Sequence, residues 1–288
     1  MNADNIKFRC SSIGELMTGT KKGWSVDDSL TCKRKLVEIY RSLKHCRESI
    51  HSNKYTQKGT KMEEDAITLY SRFRKIVFTK NKVRLSNDLV TGECDIHIPN
   101  EETIDIKCSW SLDTLPHVLT DSMDSNYEYQ GFGYMDLFKV KKHTVAYCLV
   151  NAPANLILNE KKKLFYELGC PDETNEEFIK KCIEIEKNMI FDMAQFKRDN
   201  PGFDFDCTEW KYDIDIKDRI VEFVIHFNEE KMNAINKRLS DCKEWMNKNL
   251  FKEDIEKESL ESIENAKKKY KEKIAAINEL RTKLKHVI

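Results

Sequence analysis

One stretch constrains the fold more than any other: Thr91-Gly92-Glu93-Cys94-Asp95-Ile96-His97-Ile98-Pro99-Asn100-Glu101-Glu102-Thr103-Ile104-Asp105-Ile106-Lys107-Cys108. Ile96 and Ile98 alternate with polar neighbours, Pro99 to Glu102 is turn chemistry, and Ile104 and Ile106 resume the alternation. The stretch therefore reads as a β-hairpin. Asp95 sits beside apolar strand residues on the first arm. Asp105 and Lys107 lie two apart on the second, so their side chains project from the same face.

At 288 residues the chain is long enough for one large domain, or a domain with an appendage. We expect a domain over residues 1–250 and a helical extension over 251–288. The 49 basic and 49 acidic residues cancel, which argues against a protein that coats nucleic acid indiscriminately. Distribution matters more than the sum. Between Lys33 and Arg84 fifteen Lys and Arg face five Asp and Glu. That excess fits a half that binds polyanions, and equally fits solvated helix faces. None of the ten cysteines is spaced Cys-x-x-Cys, and no Cys/His pairing suggests zinc or an iron–sulfur cluster. Residues 1–6 lack an apolar signal core, and no apolar run could span a membrane. The expectation is an intracellular location, cytoplasmic or within a host cell, and no secretion.

Along the chain, Ser12 to Glu15 has capping-box spacing and starts a short helix. Ser25 starts another, carrying Leu30, Leu36, Val37, Tyr40 and Leu43. After Lys58-Gly59-Thr60, Met62, Ala66, Leu69, Tyr70 and Phe73 mark an amphipathic helix. Glu63 borders its apolar stripe, and by itself reads as a first-turn acid complementing the helix dipole. A strand is expected near Val83–Leu85. Residues 111–122 read as a loop. A buried helix over Tyr127–Phe138 follows, with Tyr127, Gln130, Tyr134 and Phe138 on one side. Thr144–Val150 is a central-strand candidate. Helices are expected over about 156–168 and 173–198, a strand pair over Trp210–Ile216 and Ile220–Phe227, and a helix over Asn228–Leu250. Beyond Lys252 a narrow apolar seam predicts a long helix suited to packing on another.

Two acids and a lysine on one sheet face suit metal-assisted cleavage of a phosphodiester. Such cleavage needs a cation to polarise a phosphoryl oxygen and to lower the pKa of an attacking water. Asp95, Asp105 and the Ile106 carbonyl could supply inner ligands, with Glu63 joining from its helix. Lys107 could orient or help deprotonate the water, or balance charge on the phosphate. Taken alone the pattern is weak, because surface hairpins often carry such charges. Cys94 and Cys108 flank the acids as small buried residues, since hard metals avoid thiolates.

The segment Gly59-Thr60-Lys61-Met62-Glu63-Glu64-Asp65-Ala66, followed by Tyr70, resembles the G-T-x-x-E-x-x-A-x-x-x-Y helix of YqaJ-type viral recombinases. That group includes the lambda exonuclease within the PD-(D/E)XK nuclease superfamily. Cys10-Ser11-Ser12-Ile13, then Asp95, then Ile104-Asp105-Ile106-Lys107-Cys108, then Tyr129-Gln130-Gly131-Phe132-Gly133-Tyr134-Met135 follow in the same order as in that group. Together these patches cover residues 8–150. Two departures stand out. Glu93-Cys94 replaces the proline of the P-D pair, and Arg9 lies out of register with the arginine that members place upstream of the serine.

The resemblance implies an α/β (α+β) PD-(D/E)XK core, a mixed central sheet flanked by helices. It implies Glu63, Asp95 and Asp105 as metal-associated acids and Lys107 as the catalytic lysine. Gln130 would be a core-facing residue at the site. Ser11, with Arg9 near it, would contact DNA, although Ser11 equally reads as a helix-start hydroxyl. The implied activity is a Mg2+-dependent (alternatively Mn2+) exonuclease that resects double-stranded DNA ends 5′-to-3′ in viral recombination. The implied partners are a single-strand annealing protein and, as a ring, further copies of the chain. An endonuclease or RecB-like nuclease of a larger machine, and a non-catalytic DNA-binding module, remain the competing readings.

Overall fold

The computed structural model describes residues 2–19, 25–47, 52–169, 172–252 and 260–274. In chain order the elements are β1 (Phe8–Arg9), α1 (Ile13–Leu16), α2 (Leu30–His45), α3 (Lys54–Arg74), β2 (Leu85–Ser86), β3 (Val90–Gly92), β4 (Ile96–Ile98) and β5 (Glu102–Cys108). There follow α4 (Ser125–Phe138), β6 (Lys142–Cys148), α5 (Ala154–Leu168), α6 (Glu176–Met189), α7 (Met193–Asp199), β7 (Ile220–His226) and α8 (Glu229–Asn249). The chain divides into two compact units, one of Phe8–Gly14 and Ser49–Asn233, the other of Met1–Lys7, Glu15–Glu48 and Ala234–Ile288.

The first unit is built on a four-stranded sheet in the order β4-β5-β6-β7. The expected hairpin is present: β4 pairs antiparallel with β5, Ile96 opposite Ile104. Its turn closes with Glu101 N–H donating to Ile98 C=O, and Asn100 takes the left-handed conformation that such turns favour. β6 runs parallel to β5, which requires the crossover that α4 provides, and β7 returns antiparallel on β6. The two faces of β5 are unlike. Ile104 and Ile106 pack with Ala66, Ile67, Leu69 and Tyr70 of α3. Thr103, Asp105 and Lys107 face the other way, towards α4. A small sheet, β1-β3-β2, sets the N-terminal strand parallel to β3, with Arg9 opposite Thr91.

Gly131 lets α4 lie close on β6, because a Cβ there would stand 2.4 Å from His143 Cδ2. His143 is fully buried and exchanges a hydrogen bond with Thr103 Oγ1 at 2.9 Å. Burial pushes its imidazole down to about 4, so it is neutral in the core.

In the second unit, Ser29 caps α2 by accepting from Cys32 N–H. Leu36, Leu239, Cys242 and Met246 are fully buried. The guanidinium of Arg238, 2% exposed, donates to the carbonyls of Leu16 and Thr18 at 2.9 Å each. Residues 260–274 are helical and exposed, while the rest of the expected extension beyond Lys252 lies outside the described residues. No disulfide joins the described cysteines, and no described helix is long and apolar enough to cross a membrane.

Four local expectations need correction. α3 starts at Lys54, not after Thr60. Asn53 and Thr56 form a reciprocal capping box there, and a helical Cβ at Gly59 would meet nothing. Glu63 thus lies ten residues past the cap, and is no first-turn acid. α2 likewise begins at Leu30 behind its Ser29 cap, not at Ser25. The single helix over 173–198 is two, α6 and α7. Asn151 Oδ1 accepts from both Phe191 and Asp192 N–H and interrupts the helical ladder there. Trp210–Ile216 is not a strand. Its backbone goes elsewhere, Ile214 N–H donating to Phe191 C=O, and Trp210 packs against the cluster around Phe196.

Candidate active site

The site forms where β5 leaves the end of β4. Asp95 lies in the link between β3 and β4, held by Asn81, whose N–H donates to Asp95 C=O at 2.7 Å. Asp95 Oδ2 accepts from Ile106 N–H at 2.6 Å, which ties the carboxylate to β5 beyond the last β4 pair. In a strand a residue's N–H and C=O point to the same side. The Ile106 carbonyl therefore faces the same gap as its amide.

Asp105 is 3% exposed. Gln130 Nε2 lies 3.4 Å from its Oδ1 and also donates to Tyr134 OH at 2.9 Å. Its Oδ2 lies 2.5 Å from Lys107 Nζ, an ion pair without hydrogen-bond alignment, and that buried oxygen has no hydrogen-bond partner. Lys107 Nζ also stands 4.3 Å over the Tyr127 ring. The structure thus brings Asp95, Asp105, Ile106, Lys107 and Gln130 together.

It places the remaining predicted residues at the rim. Glu63 extends from α3, on the other sheet face, and pairs with Lys80 at 2.6 Å. Arg9 and Ser11 are exposed on β1 and the turn after it, next to the strand that leads to Asp95. Neither makes a side-chain hydrogen bond among the described residues, so Ser11 is not occupied in capping a helix.

The electrostatics follow from burial. Desolvation first, and then the facing Asp105 carboxylate, push Asp95 up to about 8 against the opposing Ile106 hydrogen bond. Burial pulls the Lys107 ammonium down, but Asp105 outweighs it and holds the group protonated above its ordinary range. Lys107 is therefore a cation, not a base, at neutral pH. Cys94 is fully buried and Cys108 half-buried. Desolvation raises both thiols, that of Cys108 to about 12, so neither offers a thiolate.

Among the described residues no three His, Cys, Asp or Glu side chains form a ready-made metal cage. What the site offers is two carboxylates and a strand carbonyl. These are hard oxygen donors of the kind Mg2+ or Mn2+ accepts while keeping several waters. A hollow of about 440 Å3 lined by Lys61, Asp65, Asn155 and Asp199 lies on another flank of α3, apart from these acids.

Sequence reading passed over four side chains that shape the site. Tyr127 and Tyr134 were visible three before and four after Gln130, on its helix face. Lys80 carried no signal beyond its charge. Lys58 was counted with the surface cations but is wholly buried, donating to the carbonyls of Ser109 and Trp110 at 2.7 and 2.9 Å.

Two solved structures share this arrangement of elements. A phage related exonuclease from Haemophilus somnus 129PT is 24% identical, with a TM-score of 0.60 over 85% of this chain and 95% of its own. An alkaline exonuclease (LHK-Exo) from Laribacter hongkongensis is 11% identical, with a TM-score of 0.53 over 90% and 96%. The chain shares the fold of these two proteins. At these identities the likeness concerns the fold alone. No protein-family profile and no curated protein matches the chain.

Proposed function

We propose that this chain is a metal-dependent deoxyribonuclease that degrades double-stranded DNA from an end, 5′-to-3′, as in viral-type recombination. The observation that carries the reading is Asp105, buried between Gln130 and Lys107 and facing Asp95. A buried carboxylate pair with a single cation is short of positive charge. Asp95, Asp105 and the Ile106 carbonyl would hold a divalent ion, with Glu63 able to join if Lys80 releases it. Bound there, the ion would polarise the scissile phosphate and acidify a water.

The chain's own groups would do the rest. Lys107, kept protonated, places a positive charge where the phosphorane gains negative charge. Tyr127 limits where that ammonium can move. Gln130, braced by Tyr134, keeps the Asp105 carboxylate turned towards Asp95. Arg9 and Ser11, beside the strand leading to Asp95, would hold backbone phosphates. The product of such resection is a 3′ single strand, the substrate of an annealing partner, and further copies of the chain in a ring would keep it on the DNA.

Asp105→Ala and Lys107→Ala are each expected to abolish Mg2+- or Mn2+-dependent loss of linear duplex while leaving the unfolding transition cooperative. End-labelled linear duplex and a closed circle of the same sequence separate the readings. Digestion of the circle would replace the exonuclease with an endonuclease, and undiminished digestion by either variant would sink the site assignment.

A further inference from the structure

The α4 face of the sheet does not end at Lys107. Tyr147 on β6 is the cross-strand neighbour of Lys107, and Phe223 on β7 stands diagonal to Tyr147 on the same face. Tyr127 meets Tyr147 with ring centroids 6.2 Å apart, and Tyr147 meets Phe223 at 5.8 Å, both edge-on. All three rings are only half-buried. Farther along the same helix Phe132 is 1% exposed and Tyr134 5%. The difference has a cause. Gly131 lets α4 lie close on β6, whereas the first turn of α4 carries Tyr127 and no glycine. A strip of aromatic surface is left, starting at the Lys107 ammonium and running across β6 to β7.

We propose that this strip is a stacking platform for an unpaired nucleobase of the DNA strand under cleavage. The inference rests on the proposed phosphodiester cleavage. Adjacent strands lie about 4.8 Å apart, so a nucleotide whose phosphate meets Lys107 has its base within reach of Tyr147. Flat aromatic rings beside a cation are the surface that single-stranded nucleic acid uses. A base inside a duplex already has both faces stacked, so the platform selects DNA whose terminal nucleotides are unpaired or fray on binding. Tyr147 and Phe223 bind the base, and Tyr127 positions Lys107 at the start of the strip.

The test uses the full chain in EDTA and a duplex carrying 2-aminopurine at an unpaired terminal nucleotide. Binding to the wild-type chain is expected to quench the 2-aminopurine signal. Tyr147→Leu or Phe223→Leu is expected to abolish the quench and weaken binding by roughly tenfold, with Tyr147→Phe retaining both. With metal, the Leu variants should raise KM with little change in kcat. An unquenched probe on the wild-type chain overturns the platform, and needs no variant to fold. Tyr147→Leu and Phe223→Leu that bind and quench as the wild type does, on a chain that still degrades DNA, overturn the platform and leave the nuclease standing. A wild-type chain that neither binds nor degrades DNA overturns both.

Discussion

Lys58 supports a prediction that can be worked through in numbers. Its ammonium is fully buried with no carboxylate beside it, held by the carbonyls of Ser109 and Trp110 and the Phe191 ring at 5.4 Å. Desolvation pulls it from an ordinary 10.5 down to about 7. A neutral amine still has two N–H bonds, enough for two carbonyls, so the uncharged form loses no hydrogen bond. The folded chain therefore binds fewer protons than the unfolded chain between pH 7 and 10.5, and stability rises with pH across that window. The stabilisation is absent below pH 7. At about 1.36 kcal/mol per pH unit, the rise is about 3 kcal/mol by pH 9 and at most about 5 when complete. Lys58→Met keeps the chain length and removes the titration. Urea unfolding of both proteins from pH 6 to 9, plotted as the difference, isolates Lys58 from every other group. The Cys108 thiol nearby does not interfere, because it stays neutral up to about 12. The expected difference curve climbs by about 3 kcal/mol in favour of the wild type. At the alkaline end the variant also lacks donors for two carbonyls, about 1–3 kcal/mol each. A flat difference curve would refute the claim that burial without a carboxylate partner lowers the Lys58 pKa.

Two further outcomes follow from the same physics. Asp95 is raised to about 8, so folded chain without metal holds a proton that unfolded chain has lost, and stability falls as pH rises from about 4 to 8. A divalent cation favours the ionised form. Mg2+ or Mn2+ should therefore raise the urea midpoint more at pH 8.5 than at pH 5, and an equal effect at both would remove Asp95 from the metal site. Gly131→Ala would push a methyl to 2.4 Å from His143 Cδ2 and 3.0 Å from Ile225 Cδ1. We expect a loss of about 1–3 kcal/mol in urea unfolding, and an unchanged midpoint would show that α4 can lift off β6 freely.

The parts of the fold legible in the sequence were those with a strict local period. The hairpin, α4, β6, β7 and α8 each carry an alternation or a helical stripe that burial enforces. The misread parts were decided by single distant partners. Asn151 ends α6 from across the unit, and the local signal, Asp192 capping α7 by accepting from Gln195 N–H, was passed over. Trp210, Tyr212 and Ile214 alternate as a strand would, yet the Ile214 amide donates to Phe191 C=O and joins no sheet. Capping chemistry at Asn53 and Thr56 was readable, but Gly59 looked like a boundary because its lack of a side chain says nothing about whether one would fit.

The site divides along the same line. Asp105 and Lys107 were placed by strand periodicity and Gln130 by the family resemblance, and the structure sets them in contact. Asp95 was read on the first arm of the hairpin, but the structure places it in the link before β4. It is the Ile106 amide that fixes it. Glu63 shows the limit from the other side. Its helix packs under β5 as the apolar stripe demands, but the half-buried Glu63 carboxylate pairs with the nearby cation Lys80 at 2.6 Å. Glu63 pairs with Lys80 and Asp105 with Lys107, while burial first and the facing Asp105 carboxylate second drive Asp95 towards protonation. A divalent ion between Asp95 and Asp105 would reverse that assignment, favouring ionised Asp95 and freeing Lys107 to turn from Asp105 to the phosphate.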